Sequence, residues 1–219
     1  SFFFQPFYIP SSSMEPTLLV GDRIFVSKYS YGYSKHSFPF SPPIINNRML
    51  STKAKYGDLV VFKTPEDNRT DFIKRLVGLP GDKIQIKNGE LFINEKKIPR
   101  ENLTGLNEIM CGGTKTEVVS FNETLPNGVQ YKVVYNKIGS MKNSDIYKVP
   151  EKHYFFLGDN RDCSRDSRFL SSVGYVHENN LVGKARVIFF SNNTHKGSIL
   201  KFWNWDETLR LNRFFKKLK

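Results

Sequence analysis

Three consecutive hydroxyls, Ser11, Ser12 and Ser13, precede Met14, Glu15 and Pro16 in the stretch IPSSSMEPTLLVGD, which runs from Ile9 to Asp22. A serine hydroxyl becomes a useful nucleophile only when a nearby base takes its proton, so the chain must supply one. The four histidines (His36, His153, His177 and His195) are scattered, and none sits in a recognisable catalytic context. There is no G-x-S-x-G, H-E-x-x-H, P-loop or G-x-G-x-x-G motif. The Asp-rich DNRDCSRDS lacks the glycine and the closing glutamate of an EF-hand loop. No metal or organic cofactor is implied.

A neutral lysine is the other base that serine chemistry can use. Lys74, in DFIKRLVGLPGD, shares a face with Phe72 and Leu76 if Asp71–Val77 is a strand. Apolar flanking of this kind lowers a lysine pKa by desolvation. A free lysine titrates near about 10.4, so only about one in 2,500 is neutral at pH 7. Half-neutrality requires roughly 4.6 kcal/mol, within reach of full burial. The adjacent Arg75 is no substitute, because guanidinium does not deprotonate in proteins. Taken alone, the pattern around Lys74 also fits a solvated edge lysine.

These residues need a frame, and the frame reads as mainly β. Short β-branched and aromatic runs recur between turn residues: Arg23–Ser27, Asp58–Lys63, Asp71–Val77, Lys83–Ile86, Glu90–Asn94, Glu117–Phe121, Val129–Tyr135, Tyr154–Leu157 and Lys184–Phe190. Asn88-Gly89 and Asn127-Gly128 each stand between two such runs, a strong hairpin signal. Ser30–Ser51, with three prolines, reads as a long surface loop. Residues 101–148 read as an inserted β subdomain, which divides the catalytic core into 1–100 and 149–200. In the basic tail, 201–219, Leu211, Phe214, Phe215 and Leu218 recur at helical spacing. The tail is therefore expected to form a short amphipathic helix capped by Asp206, docked on the body or on a membrane surface.

Composition narrows the partners. Lys and Arg outnumber Asp and Glu by 33 to 21, a net +12, which points to nucleic acid or an anionic membrane surface. The two cysteines, Cys111 and Cys163, permit one pairing, too few for a disulfide framework, and leave the redox compartment open.

Read together, three segments carry a resemblance. PSSSMEPTL, KRLVGLPGD and GDNRDCSRDSR match, in order, the boxes Pro-Ser-x-Ser-Met-x-Pro-Thr-Leu, Lys-Arg-x-x-Gly-x-Pro-Gly-Asp and Gly-Asp-Asn-Arg-Asp-x-Ser-x-Asp-Ser-Arg. The chain resembles the bacterial type I signal peptidases, membrane-anchored serine proteases that remove signal peptides. The resemblance covers Phe7 to about Lys184. It implies antiparallel sheets forming a coiled half-barrel catalytic core, with Ser13 as nucleophile, Lys74 as general base and Ser11 as oxyanion donor. It also implies that Ser164 orients the base, that Asp166 and Arg168 form a supporting ion pair, and that Gly158 lies near the site. Ile9, Pro10, Met14, Leu18, Ile24, Val61, Asp71, Phe72 and Ile73 fall where relatives bind substrate, accepting small side chains at −1 and −3. The implied partners are preprotein signal peptides and a lipid surface rather than nucleic acid. The implied location is the extracytoplasmic face of the bacterial inner membrane. The resemblance further leads us to expect that the family's transmembrane anchor is lacking here, with Phe2–Phe4, Phe7 and Tyr8 suiting its exit.

Two positions depart from the pattern. Ser12 stands where many relatives carry glycine, and would be strained if that position requires positive φ. Cys163, beside Ser164, reads as an unpaired thiol. Pairing with Cys111 would instead link the insertion to the active-site region. Two other readings compete with the peptidase: a self-cleaving repressor-type Ser-Lys protease, and a non-catalytic basic module binding membrane or nucleic acid.

Overall fold

The computed structural model describes residues 3–32, 52–106, 108–138, 143–193 and 205–218. Its strands in the first half are β1 (Phe4–Tyr8), β2 (Asp22–Ser27), β3 (Leu59–Lys63), β4 (Asp71–Gly78), β5 (Lys83–Lys87), β6 (Glu90–Ile93), β7 (Lys96–Lys97) and β8 (Arg100–Leu103). Then come β9 (Glu108–Cys111), β10 (Thr114–Thr124), β11 (Gln130–Asn136), β12 (Tyr147–Lys148), β13 (His153–Leu157), β14 (Val176–His177), β15 (Leu181–Ser191) and β16 (Lys216–Lys217). The chain is therefore mainly β, and each run expected to be a strand lies within or overlaps one. The loop expected over Ser30–Ser51 lies outside the described residues beyond Gly32, and no described helix is long and apolar enough to cross a membrane.

The largest sheet is antiparallel and curled, in the order β1-β2-β15-β3-β4-β13-β14. Two smaller sheets, β12-β5-β6-β7 and β11-β10-β8 with β9 beside β10, come from the chain between β4 and β13. Turn chemistry sets the hairpins. Asn88 and Gly89 both have positive φ (51° and 72°), which gives the tight turn between β5 and β6 its twist. At Asn127-Gly128 the loop is longer, closed by the Gly128 N–H on the Leu125 carbonyl.

Period-two alternation gives the strands of the large sheet two apolar faces. Ile24, Val61 and Ile188 pack beneath the serine turn together with Met14 and Leu18. Val60, Phe62, Leu76 and Phe156 form a second cluster on the other side. Phe155 and Leu157 join Val77 to Ile84, Leu91 and Val133 of the smaller sheets, so the three sheets share buried contacts. Phe62, Phe155 and Phe156 are fully buried, each contributing about 2–3 kcal/mol.

The tail departs from the expected amphipathic helix. Among its described residues only Trp205–Thr208 is α-helical; Leu211–Arg213 is a 3-10 turn, Phe215 has φ 56°, and β16 pairs with β15. The reason is a buried charge. Asp22 is fully buried, and Arg213 donates to both its carboxylate oxygens at 3.0 and 2.5 Å. Leu218 packs on the core, whereas Leu211 and Phe215 face solvent. Tertiary contacts thus outweigh the helical periodicity. Arg213→Ala should strand the Asp22 charge and cost about 3 kcal/mol in a denaturant titration. Leu211→Ser, on the apolar face of the expected helix, should cost under about 0.5 kcal/mol.

Candidate active site

The serine triplet forms a short 3-10 turn, Ser12–Met14, between β1 and β2. Apolar anchors fix it from below, since Met14 and Leu18 are both fully buried. Ser12 does not have positive φ, so the expected strain is absent. Its hydroxyl lies 3.7 Å from Cys163 Sγ.

Strand β4 brings Lys74 to this turn. Lys74 Nζ lies 2.7 Å from Ser13 Oγ and 3.0 Å from the Ile73 carbonyl, with the Phe72 ring centroid 5.3 Å away. The lysine is 4% exposed and Ser13 is 7% exposed. Burial pushes the lysine pKa down to about 8, while the carboxylates of Asp166 and Asp159 pull it back up. About one lysine in ten is then neutral at pH 7, against one in thousands for a free side chain. Ser11 Oγ lies 3.2 Å from Ser13 Oγ.

The third box, the loop after β13, surrounds this pair. Asp166 and Arg168 form a buried ion pair, Arg168 Nε 2.8 Å from Asp166 Oδ1, and the same carboxylate accepts the Gly158 N–H at 3.0 Å. Gly158 has no room for a side chain: a Cβ there would sit 2.2 Å from Ser164 Oγ and 2.6 Å from the Ser13 carbonyl oxygen. Ser164 is buried beside the site, but its hydroxyl has no hydrogen-bond partner among the described residues, so the expected bond to Lys74 is not formed.

Several positioning residues went unassigned in the sequence reading. Asn160 donates its side-chain amide to the Ser12 carbonyl at 3.1 Å and its backbone N–H to the Ser13 carbonyl at 3.2 Å. Arg75, fully buried, grips both oxygens of Asp159 at 2.7 Å, and Thr17 donates to the same carboxylate. One ion pair thereby ties all three boxes together. Asp159, Asn160, Arg75 and Thr17 stood inside the quoted boxes, so motif position was the available signal. Glu123 had none. It lies on β10 and binds the buried Arg161 through both oxygens.

Cys163 proves to be paired, contrary to the expected free thiol. It is disulfide-bonded to Cys111 with the Cα atoms 5.8 Å apart. Chain topology decides this: β11 runs beside the third box, with the Val134 N–H on the Asp159 carbonyl and the Arg161 N–H on the Val134 carbonyl, and β9 packs against the serine turn.

A cleft of about 460 Å³ opens beside Ser13 and Lys74. Ile9, Pro10, Met14, Ile24, Val61, Asp71, Phe72 and Ile73 all line it, as anticipated, together with Ser11 and the unanticipated Phe7, Tyr8, Thr70, Cys163 and Arg165. Leu18 does not reach it. Its N–H closes a turn on the Met14 carbonyl, which directs the side chain into the core. The Asp71–Ile73 edge of β4 faces the cleft: β3 pairs along one side, and β13 joins the other only from Arg75 onward.

Lys74→Met tests the buried-charge account independently of catalysis. Below pH 8 the parent carries the full burden of a desolvated ammonium, and its stability should rise as pH climbs from about 8 to 10.5. The variant should therefore be more stable by about 2–3 kcal/mol at pH 7 in urea titrations, with the advantage fading by pH 10.5.

The description "Signal peptidase, peptidase S26" belongs to the family model that matches residues 1–190. Signal peptidase I of Rickettsia akari (strain Hartford) is 40% identical over 238 residues, spanning 98% of this chain and 85% of that protein. Signal peptidase I of Rickettsia conorii is 42% identical over 234 residues with the same coverage. A crystal structure of a signal peptidase I from Enterococcus faecalis V583 aligns over 61% of this chain and 97% of its own. That alignment has 24% identity and a TM-score of 0.36.

Proposed function

We propose a Ser-Lys mechanism for this chain, which belongs to the peptidase S26 family of signal peptidases and is a serine protease that removes signal peptides. The observation that carries the mechanism is the 2.7 Å contact between Ser13 Oγ and a buried Lys74. A preprotein enters the cleft extended and pairs with the Asp71–Ile73 edge of β4. Small side chains at −1 and −3 occupy the apolar floor formed by Ile9, Ile24, Val61 and Ile73.

Neutral Lys74 takes the Ser13 proton as Oγ adds to the carbonyl carbon of the −1 residue. The resulting oxyanion is held by the Ser11 hydroxyl and the Ser13 backbone N–H. The ammonium then gives its proton to the departing amine of the mature protein, leaving the signal peptide esterified to Ser13. Water, deprotonated in turn by Lys74, attacks that ester and restores the serine. Asn160 and the Asp159–Arg75 pair act through the backbone, holding the turn that aims Ser13.

The enzyme works at a membrane surface, on the extracytoplasmic side. The membrane-surface reading rests on the net +12 charge and on exposed aromatic side chains of and beside β1 (Phe3, Phe4 and Tyr8), which suit an anionic interface, and the side is carried over from the signal peptidases that the chain resembles.

Ser13→Ala and Lys74→Ala should each abolish cleavage of a signal-peptide substrate, by at least about 10³ in kcat. Ser11→Ala should lose about 10²–10³ and Ser12→Ala much less. Lys74→Ala at the parental rate would overturn the assignment of the base. The base must be neutral, so kcat/KM should fall about tenfold per pH unit below about 8. A profile flat to pH 5 would contradict a titrating lysine.

A further inference from the structure

The cleft floor is apolar, but two charged side chains besides Lys74 reach its lining, Asp71 and Arg165. They are committed differently. Asp71 is neutralised by Lys63 at 2.9 Å, with Lys63 itself mostly buried. Arg165 instead pairs with Glu66, on the turn from β3 to β4, at 2.8 Å. Glu66 is not part of the cleft lining, and the side chains of the pair are 57% and 53% exposed. An ion pair this wet contributes little and exchanges readily. The backbone that carries Arg165 is held more firmly: Cys163 is tied to Cys111, and Asp166 is buried against Arg168. The result is a cation on a fixed base, at the edge of the substrate cleft, whose present carboxylate partner can be replaced.

Given the reading that preproteins occupy this cleft, we propose that Arg165 is a specificity-determining residue that favours substrates with Asp or Glu beside the scissile bond. Side chains of an extended substrate alternate in direction. With −1 and −3 in the apolar floor, the −2 side chain faces the opposite rim and +1 lies just beyond Ser13. One of these two positions presents the acidic group. The planar guanidinium fork donates two hydrogen bonds to that carboxylate and releases Glu66 to solvent. No bond is made or broken in the exchange. The effect is on which preproteins are cut fastest.

The test uses peptides that differ only in Glu, Gln or Lys at −2 or at +1, cleaved by the parent chain, Arg165→Gln, Arg165→Glu and Glu66→Gln. At low salt the parent should prefer Glu to Gln at one of the two positions by about three- to tenfold in kcat/KM. That ratio should fall to about one in Arg165→Gln, and the preference should reverse towards Lys in Arg165→Glu. It should rise in Glu66→Gln, where the competing carboxylate is gone, and shrink as salt is added. Each ratio is taken within one variant, so a reduced folded fraction cancels. Ratios that are the same in all four proteins overturn the proposal. Ser13→Ala separates this from failure of the underlying reading. If it cleaves the Gln peptide at the parental rate, the peptidase assignment to this cleft is wrong. If cleavage is lost while residue 165 has no influence on the ratio, the assignment stands and the selectivity does not.

Discussion

A lysine can take a proton from serine only where water is too scarce to keep the lysine charged, and the site is built around that requirement. Lys74 is buried against Phe72 and Ser13, and desolvation brings its pKa down to about 8. The same burial places it near two carboxylates, Asp159 and Asp166, either of which would recharge it if left bare. Neither is bare. Asp159 is gripped by Arg75, and Asp166 by Arg168. The carboxylates can therefore do structural work, binding Thr17 and the Gly158 N–H, with much of their field cancelled by the adjacent guanidinium groups. Desolvation remains the largest influence on the lysine, and the Arg168 guanidinium acts in the same direction.

Desolvation alone does not aim a nucleophile. Ser13 lies on a turn of only three residues, too short to hold its own geometry. Its backbone is held from the third box, where Asn160 satisfies two successive carbonyls and Gly158 permits the close approach. That loop is held in turn from outside the large sheet. β11 runs alongside it, Glu123 pairs with buried Arg161, and the Cys111–Cys163 disulfide closes the contact. The 101–148 segment is thus a buttress for the serine turn, although among the described residues its bond network lines the cleft only through Cys163.

Some of this was legible in the residues and some was not. The strands were, because period-two alternation and Asn-Gly turns are local properties that a 219-residue chain displays openly. The tail misled for the same reason. Leu211, Phe214, Phe215 and Leu218 have helical spacing, but Arg213 has a buried carboxylate to neutralise, and that contact lies 191 positions away in sequence. Likewise, Leu18 sat in the right motif for a cleft residue yet points inward, because the turn at Met14 rotates it into the core.

What the sequence determined by itself was the chemical vocabulary: three ordered boxes, a hydroxyl and a lysine as candidate partners, and a β framework to carry them. Those are properties of residue type and short spacing. Only the tertiary structure decided whether the vocabulary could act. The 2.7 Å approach of residues 61 positions apart, the loss of water from Lys74, the cancelling of Asp159 and Asp166 by arginines and the pairing of Cys163 with Cys111 all depend on where distant segments meet. A pKa and a disulfide are set by what surrounds a group in space, and no local pattern encodes that.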